Sequence, residues 1–276
     1  MAVSNLMNKS FLTRAISGIL LVIIIAVTAI IGGDLLFGTV FVVSMIGLFE
    51  VYRVGGIEKS IIAVPGYIAT VIYFLLNRFA DSNHFTAFAV GFMIVVMAVY
   101  VFTFPKYSAE KMFLSYFGVL YAPVMMSFMY QVREYNEDGI FTFWMIFICS
   151  WICDTFAYLT GVVCGKNKMA PILSPKKTIE GAIGGVVGAA IVGAIYGTVV
   201  GGKLETIDNA AVLFAVIGAC GGLISMIGDL FASAIKRNYD IKDYGKLIPG
   251  HGGIMDRFDS VIITSPLIYF LLVYFA

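Results

Sequence analysis

The sequence predicts an all-α integral membrane protein with about nine membrane-spanning helices. Two properties of the composition support this class: 60% of the 276 residues are hydrophobic, and only 13% carry a formal charge. Soluble domains carry roughly twice that share of charge, and a globule of this size has too little interior to bury so many apolar side chains. The net charge of +1 also argues against nucleic acid as a partner.

The individual spans are stretches that contain at most one charged residue. About 20 apolar residues cross the roughly 30 Å hydrocarbon core, and the backbone inside lipid must satisfy its own hydrogen bonds, so each stretch predicts a helix. The first is expected to be retained rather than cleaved, because it is longer than the roughly 7–15 residues of a signal peptide core and no Ala-x-Ala site follows it. The predicted spans are 15–33, 35–49, 60–77, 85–105, 112–132, 139–165, 181–202, 209–235 and 260–276.

The distribution of cations predicts the orientation of these spans. When the N-terminus is placed on the cytoplasmic side, 15 of the 18 Lys and Arg residues fall on that side, as the positive-inside rule requires. The C-terminus is then expected outside. Nine of the 15 lie in two late segments, 165–180 and 236–259. We therefore expect residues 1–138 to serve packing and lipid contact, and residues 139–276 with these two cytoplasmic loops to hold the functional site.

Two aspartates interrupt predicted spans. Asp154 and Asp229 lie within the sixth and eighth spans, where a carboxylate costs about 2.5–3.5 kcal/mol on insertion scales and persists only with a partner, a cavity or an ion. On a helix, Asp229 shares one face with Ser233, Lys236 and Arg237. The alternative is a purely structural ion pair between Asp229 and Lys236, two turns away.

The segment before the seventh span has the pattern of a helix start. Ser174 is a good N-cap and Pro175 suits the first helical position. Lys176 and Lys177 would be unfavourable at the positive end of the helix, but together with its free N–H groups they predict a site for an anion such as phosphate. Anchoring of these lysines at the membrane surface is the alternative.

A glycine-rich segment precedes the last span. Gly250, Gly252 and Gly253 surround His251, and such a loop lets the backbone approach a phosphate closely. Three carboxylates, Asp256 and Asp259 beside this loop and Asp229 in the eighth span, are candidate ligands for a hard cation such as Mg²⁺.

These residues carry a resemblance to a known family. From Ser233 to Asp259 the chain reads S-A-I-K-R-N-Y-D-I-K-D-Y-G-K-L-I-P-G-H-G-G-I-M-D-R-F-D, which resembles the signature of the phosphatidate cytidylyltransferases, also called CDP-diacylglycerol synthases. The upstream segments 154–161 and 174–181 are similar to a second conserved region of that family. The resemblance covers the C-terminal half, whereas the N-terminal spans match in hydropathy alone.

The resemblance implies a metal-dependent nucleotidyltransferase that moves CMP from CTP to phosphatidic acid in phospholipid biosynthesis. It further implies a bacterial cytoplasmic membrane enzyme whose site faces the cytoplasm among membrane lipids, with Mg²⁺ as cofactor, a second cation left open, and a homodimer through membrane helices as a further expectation. The residues expected to act in catalysis are Asp229, Asp256, Lys236 and Arg257. Those expected to bind substrate are Lys176, Lys177, Ser233, Arg237, Lys242, His251, Gly252, Gly253 and Asp154. The expected metal ligands are Asp229, Asp256 and Asp259.

Two other functions are compatible with a polytopic protein of this kind. A CTP-dependent polyprenol or lipid kinase would also combine CTP with a lipid, but it would transfer the γ-phosphoryl group. An ion-coupled transporter would use Asp154 and Asp229 as an ion relay. The absence of an inverted repeat and the concentration of polar residues toward one face argue against transport.

Overall fold

The structure is a computed structural model that describes residues 2–80 and 84–275, with side chains from residue 12 to 80 and from 84 to 274. The side chain of Lys9, one of the predicted cytoplasmic cations, and Ala276, the end of the ninth predicted span, lie outside these residues.

Helices account for most of the described chain, which confirms the predicted all-α membrane class. Eight segments are long and apolar enough to cross a membrane, and they match the first eight predicted spans. A shorter apolar helix, Val261–Tyr274, stands where the ninth was predicted. The sidedness of the termini stays a prediction.

The elements follow one another in a simple order. The helices are α1 (Ala2–Ile31), α2 (Gly33–Val54), α3 (Val64–Phe79), α4 (Phe85–Thr103), α5 (Ala109–Val119), α6 (Met125–Arg133), α7 (Gly139–Thr142), α8 (Met145–Phe147), α9 (Cys153–Cys164), α10 (Ile179–Val200), α11 (Ala210–Asn238), α12 (Met255–Phe258) and α13 (Val261–Phe275). Two strands, β1 (Lys168–Ala170) and β2 (Ser174–Thr178), lie between α9 and α10. Short 3₁₀ turns occur at Ile61–Ala63 and Gly201–Lys203.

Two turns of π-helix interrupt the membrane helices. Leu120–Val124, which contains Pro123, separates α5 from α6, and Ile148–Ile152 separates α8 from α9. A π turn holds one residue more than an α turn and is often found near functional sites. The second of these turns ends two residues before Asp154.

The chain forms two compact units whose segments alternate along the sequence. The first unit comprises Met1–Ile19, Gly38–Ser127 and Ile241–Asp256, and the second comprises Leu20–Phe37, Phe128–Asp240 and Arg257–Ala276. The division predicted at residue 138 concerns function, not compactness, and it stays a prediction.

The first unit is built around hydrogen bonds between buried helices. The hydroxyl of Tyr52 on α2 donates to the carbonyl of Ser115 on α5 at 2.6 Å, and Ser115 Oγ donates to the carbonyl of Ile62 at 2.6 Å. Gly66 and Gly118 both lie against the Tyr52 ring, where a Cβ would collide with it. These contacts fix α2 beside α5 and the start of α3, and they give the second span a rigid place in the unit.

In the second unit, α10 packs against α9 and α11. The approach is close because small residues occupy the contacts: a Cβ on Gly185 would collide with the carbonyl oxygen of Cys153, and one on Gly193 with that of Phe214. Small residues at such contacts allow membrane helices to approach closely. This packing holds both α9 and α11 against α10.

The predicted helix start at Ser174 is wrong. Ser174 begins strand β2, which pairs in antiparallel fashion with β1, and α10 begins five residues later, at Ile179. Thr178 is the N-cap, and its hydroxyl accepts a hydrogen bond from the N–H of Gly181 at 3.1 Å. A β-hairpin satisfies the backbone before Thr178, so Lys176 and Lys177 lie on a strand rather than at a helix end.

Candidate active site

An ion pair joins two of the predicted site residues in the second unit. Lys177 on β2 contacts the carboxylate of Asp229 on α11, and each side chain is 23% exposed. The aspartate within the eighth span therefore has the partner that its position in a membrane helix requires. Lys177 acts here as a charge partner as well as a candidate phosphate ligand.

Further charges surround this pair. Asp154 on α9 lies within electrostatic range of Lys177, Asp229 and Arg257. Arg257 Nε is buried and has no hydrogen-bond partner among the described residues. A buried N–H without a partner is costly, so a ligand oxygen at this position would be favourable.

Asp259 belongs to the same group of charges. Burial raises the pKa of its carboxyl to about 7, and repulsion from Asp229 and Asp154 acts in the same direction, whereas Lys236 and the N–H of Ser260 oppose the rise. Three carboxylates that repel one another in partial burial are a setting in which a bound cation would relieve the repulsion.

A cavity of about 600 Å³ opens beside the ion pair. Its polar lining includes Asp154, Asp229 and the lysines of the hairpin, and its apolar lining comes from α9, α10, α11 and β1. The charged lining residues are Asp154, Lys168, Lys176, Lys177 and Asp229, and the larger apolar ones are Tyr158, Val162, Met169 and Met226. The cavity thus combines cations for a phosphate with apolar walls.

Three predicted residues follow Asp229 along α11. Ser233 and Lys236 are half-buried, whereas Arg237 in the last turn is exposed. All of them lie on the same continuous helix as Asp229, as the spacing predicted. Lys236 acts electrostatically on Asp259.

The predicted glycine-histidine loop, which comprises residues 244–255, lies in the first unit. Gly250 and Gly252 have φ angles of 77° and 86°, which non-glycine residues rarely adopt. Ile248 N–H donates to the carbonyl of Gly252 at 2.8 Å, and His251 N–H donates to that of Ile248 at 2.9 Å, which closes a tight turn. Lys242, another predicted ligand, lies exposed before this loop.

Helix α1 contacts the same turn. Ser17 Oγ lies 3.0 Å from the carbonyl oxygen of Pro249 and 2.9 Å from Nδ1 of His251. The second contact orients the imidazole from a part of the sequence outside the motif.

Asp256 folds back onto the loop. Its Oδ2 accepts hydrogen bonds from the N–H groups of Tyr244 at 2.8 Å, Gly253 at 2.9 Å and Gly245 at 3.4 Å. Asp256 is 6% exposed. This carboxylate therefore organises the glycine-histidine loop, a role that the sequence did not predict.

The carboxylates of Asp229 and Asp259 in the second unit suit a magnesium ion that substrate phosphates help to bind. Asp229 and Asp259 interact electrostatically, and Mg²⁺ is often held by one or two carboxylates together with substrate phosphates. Across residues 2–80 and 84–275, no group of three or more His, Cys, Asp and Glu side chains has the arrangement of a complete metal site. The residues thus fit an ion completed by substrate, and the place of Asp256 among its ligands stays a prediction.

Sequence reasoning missed two contributors. Lys168 faces the cavity from β1, and pairing of β1 with β2 brings it to the strand that carries Lys176. Glu50 on α2 accepts hydrogen bonds from the loop of the first unit. A charged residue at the end of an otherwise apolar span was the available signal for Glu50.

Comparisons with known proteins identify the family of this chain. The model of the cytidylyltransferase family matches residues 12–275. A phosphatidate cytidylyltransferase of Bacillus subtilis is 27% identical over 270 residues, which cover 95% of this chain and 98% of that protein. Those of Staphylococcus haemolyticus and Staphylococcus aureus are 29% and 31% identical, each over 94% of this chain and 98% of the relative. Because the family model spans nearly the whole chain, including both units, the chain belongs to the cytidylyltransferase family.

Proposed function

We propose that this protein transfers CMP from CTP to phosphatidic acid, which yields CDP-diacylglycerol and pyrophosphate in phospholipid biosynthesis. The family membership and the activity named for relatives that align over their full length support this proposal. The structural observation that carries it is the cavity of the second unit, where lysines and carboxylates meet an apolar wall.

The composition of the cavity suits a lipid phosphate. Lys168, Lys176 and Lys177 offer ammonium groups to an anionic headgroup, while Val162 and Met226 offer apolar contact to its glyceride portion. Phosphatidic acid presents both kinds of surface in one molecule. Inorganic phosphate would gain nothing from the apolar wall, whereas a lipid phosphate uses both kinds of lining.

The chemistry needs little covalent participation by the protein. An oxygen of the phosphatidate phosphate attacks the α-phosphorus of CTP, and the bond from that phosphorus to the oxygen bridging the α- and β-phosphates breaks as pyrophosphate leaves. No general base is required, because a phosphate monoester is largely ionised near pH 7. Positioning and charge neutralisation are the contributions left to the side chains.

We assign roles on this basis. Lys176 and Lys177 bind phosphate groups in the cavity, and Arg257, whose Nε has no hydrogen-bond partner in the described part of the chain, stabilises the leaving pyrophosphate. Lys236 and Arg237 contribute positive charge near the end of α11. The glycine-histidine loop contacts nucleotide phosphates through the N–H groups that are not bonded within the protein.

We further propose dependence on Mg²⁺, with Asp229 and Asp259 as protein ligands and Asp256 as a third candidate. A bound divalent cation would neutralise triphosphate charge. We expect EDTA to abolish product formation and added Mg²⁺ to restore it; full activity after exhaustive chelation would contradict this part of the proposal.

The cellular setting completes the proposal. The protein is an integral membrane protein with eight long apolar helices among its described residues. We place it in the bacterial cytoplasmic membrane with its site toward the cytoplasm, where CTP is available, and we propose a homodimer formed through membrane helices.

The direct test uses purified protein, phosphatidic acid, Mg²⁺ and CTP labelled at either the α- or the γ-phosphate. Cytidylyl transfer places the α-label in lipid and releases the γ-label as pyrophosphate. A lipid kinase would place the γ-label in lipid. Recovery of the γ-label in lipid, or no lipid product from folded protein in several detergents and lipids, would overturn the proposal.

A matched pair of variants ties the activity to the cavity. Lys177→Gln should lower the rate at least tenfold, whereas Lys203→Gln, which removes an exposed lysine outside the cavity, should leave it unchanged. Equal rates for both variants would contradict the assignment of the cavity.

A variant outside the cavity separates the enzyme from a transporter. Asp256→Asn should lose nucleotide transfer. Ion uptake into vesicles that survives this change would instead indicate a transporter.

A further inference from the structure

A glutamate of the second span is bound to the glycine-histidine loop. Glu50 on α2 is 3% exposed. Its Oε2 accepts the N–H of Met255 at 2.9 Å and its Oε1 accepts that of Ile254 at 3.2 Å. A buried carboxylate within a membrane helix is unfavourable unless it is paired. The two hydrogen bonds therefore stabilise the Glu50 carboxylate, and they also fix the position of the loop.

The loop approaches Glu50 closely on two sides. A Cβ on Gly245 or on Gly253 would overlap the Glu50 carboxylate. Both glycines have ordinary negative φ angles, since the positive ones in this loop are Gly250 and Gly252. The absence of a side chain at 245 and 253 is therefore explained by the space that Glu50 occupies rather than by backbone conformation.

Helix α2 makes a second contact with the same segment. Arg53, about one turn after Glu50, donates a hydrogen bond through Nη2 to the carbonyl of Tyr244. Asp256 accepts the N–H of that same Tyr244. Helix α2 thus binds the start of the loop through Arg53 and its end through Glu50. Asp256 joins the same two ends through its hydrogen bonds to Tyr244 and Gly253.

We propose that Glu50 is a positioning residue for nucleotide binding: it fixes the glycine-histidine loop in the arrangement whose remaining N–H groups, those not bonded within the protein, receive the phosphates of CTP. The inference rests on the proposed cytidylyl transfer. It gives the second span a part in catalysis, although the sequence assigned the N-terminal spans to packing and lipid contact.

The effect of losing this acceptor follows from its charge. A glutamine at position 50 has nearly the same volume but carries no charge, and its NH₂ group would face a backbone N–H in place of an acceptor oxygen. The loss of one charge-assisted hydrogen bond corresponds to about a 10- to 100-fold change in a binding constant. If the loop leaves its bound conformation when this bond is lost, the apparent affinity for CTP falls with the fraction of loop still in that conformation, by up to this factor.

The experiment compares Glu50→Gln with Glu110→Gln, which changes an exposed glutamate of the same unit. For Glu50→Gln we expect at least a tenfold rise in the KM for CTP with little change in the KM for phosphatidic acid. Glu110→Gln should match the wild type in both constants. A merely structural role would lower the amount of active protein and leave both KM values unchanged.

Hydrogen exchange gives a readout independent of turnover. The amide hydrogens of Ile254 and Met255 should be protected in the wild type and exchange faster in Glu50→Gln. Added CTP should increase the protection of the loop in the wild type. If the wild type forms no CDP-diacylglycerol, the proposed function fails, while CTP-dependent protection still tests the role of Glu50.

A compensating pair covers the case in which Glu50→Gln does not fold. Gly253→Ala places a methyl group against the carboxylate, and Glu50→Asp withdraws that carboxylate by one methylene. Glu50→Asp should therefore partly restore the KM for CTP of Gly253→Ala. Strict additivity of the two changes, or a wild-type KM for CTP in folded Glu50→Gln, would overturn the inference.

Discussion

Lys177, on a short β-strand, is the ion-pair partner of Asp229 within the eighth membrane helix. The two residues are 52 positions apart in the sequence. Their pairing fixes the hairpin to α11, and it balances one of the carboxylates that line the cavity.

The pair should be energetically coupled. Each side chain is 23% exposed, so we expect a coupling free energy of about 1–3 kcal/mol in a double-mutant cycle. The cycle compares thermal unfolding in detergent of the wild type, Lys177→Gln, Asp229→Asn and the double variant. A second cycle with Lys203→Gln in place of Lys177→Gln should be additive, and additivity in both cycles would contradict the coupling.

The corrected helix start can be tested at Thr178. Thr178→Ala removes the hydroxyl that accepts the N–H of Gly181, and loss of such an N-cap should destabilise the protein by about 1 kcal/mol. Thr178→Ser keeps the acceptor and should retain most of the stability. The control is Thr198→Ala, an exposed threonine of the same helix. If Ser174→Ala destabilised the protein and Thr178→Ala did not, the helix would start where the sequence first indicated.

Close packing of α10 on α11 predicts a selective effect of added methyl groups. Gly193→Ala would place a Cβ against the carbonyl oxygen of Phe214, whereas Gly91→Ala in α4 meets nothing within 4 Å. Overpacking costs about 1–3 kcal/mol, so Gly193→Ala should lower the unfolding temperature. Gly91→Ala should leave it unchanged or raise it, because alanine favours a helix. Equal unfolding temperatures for the two variants would show that the helices can separate at no cost.

Asp138 should make stability depend on pH. Burial raises the pKa of this carboxyl, but hydrogen bonds from the Thr206 hydroxyl and from the N–H groups of Glu205 and Thr206 outweigh burial, and the net pKa is lowered. The folded state therefore binds its proton less readily than the unfolded state, whose pKa is near the ordinary value of 3.8. The stabilisation is complete well above that value and is lost as the pH falls through the lowered pKa.

The measurement compares the wild type with Asp138→Asn. The wild type should unfold at a higher temperature near neutral pH, and its advantage should shrink as the pH falls below about 4. An advantage that is the same at low and neutral pH would indicate that the charge of Asp138 contributes nothing. Glu137→Gln is the control for the loss of a neighbouring acidic group.

Much of the architecture could be predicted because the membrane restricts the choices. Long uncharged stretches must be helices, and eight of them are. Asp229 could be singled out for the same reason, since charge inside a span is costly. Short polar segments carry no such constraint. Strands of three and five residues give too little alternation to reveal the hairpin, and Ser174-Pro175 matches a helix start as well as Thr178 does.

Contacts between residues far apart in the sequence could not be predicted, for a different reason. The contact of Glu50 with Ile254 joins residues 204 positions apart, and nothing in local periodicity encodes such a distance. Asp256 was recognised as a functional carboxylate from its place in the motif, but its hydrogen bonds to Tyr244 and Gly253 depend on a loop conformation that only the folded chain displays.

The π-helical turn Ile148–Ile152 sets the phase of the helix that follows it. Each residue advances an α-helix by about 100°, so the extra residue of this turn determines the direction in which α9 presents Asp154, a lining residue of the cavity. Deleting one residue from the turn would rotate α9 by about 100° relative to α8 and carry Asp154 away from Lys177. One backbone irregularity, without a charged side chain of its own, thus determines the direction of a carboxylate inside the membrane.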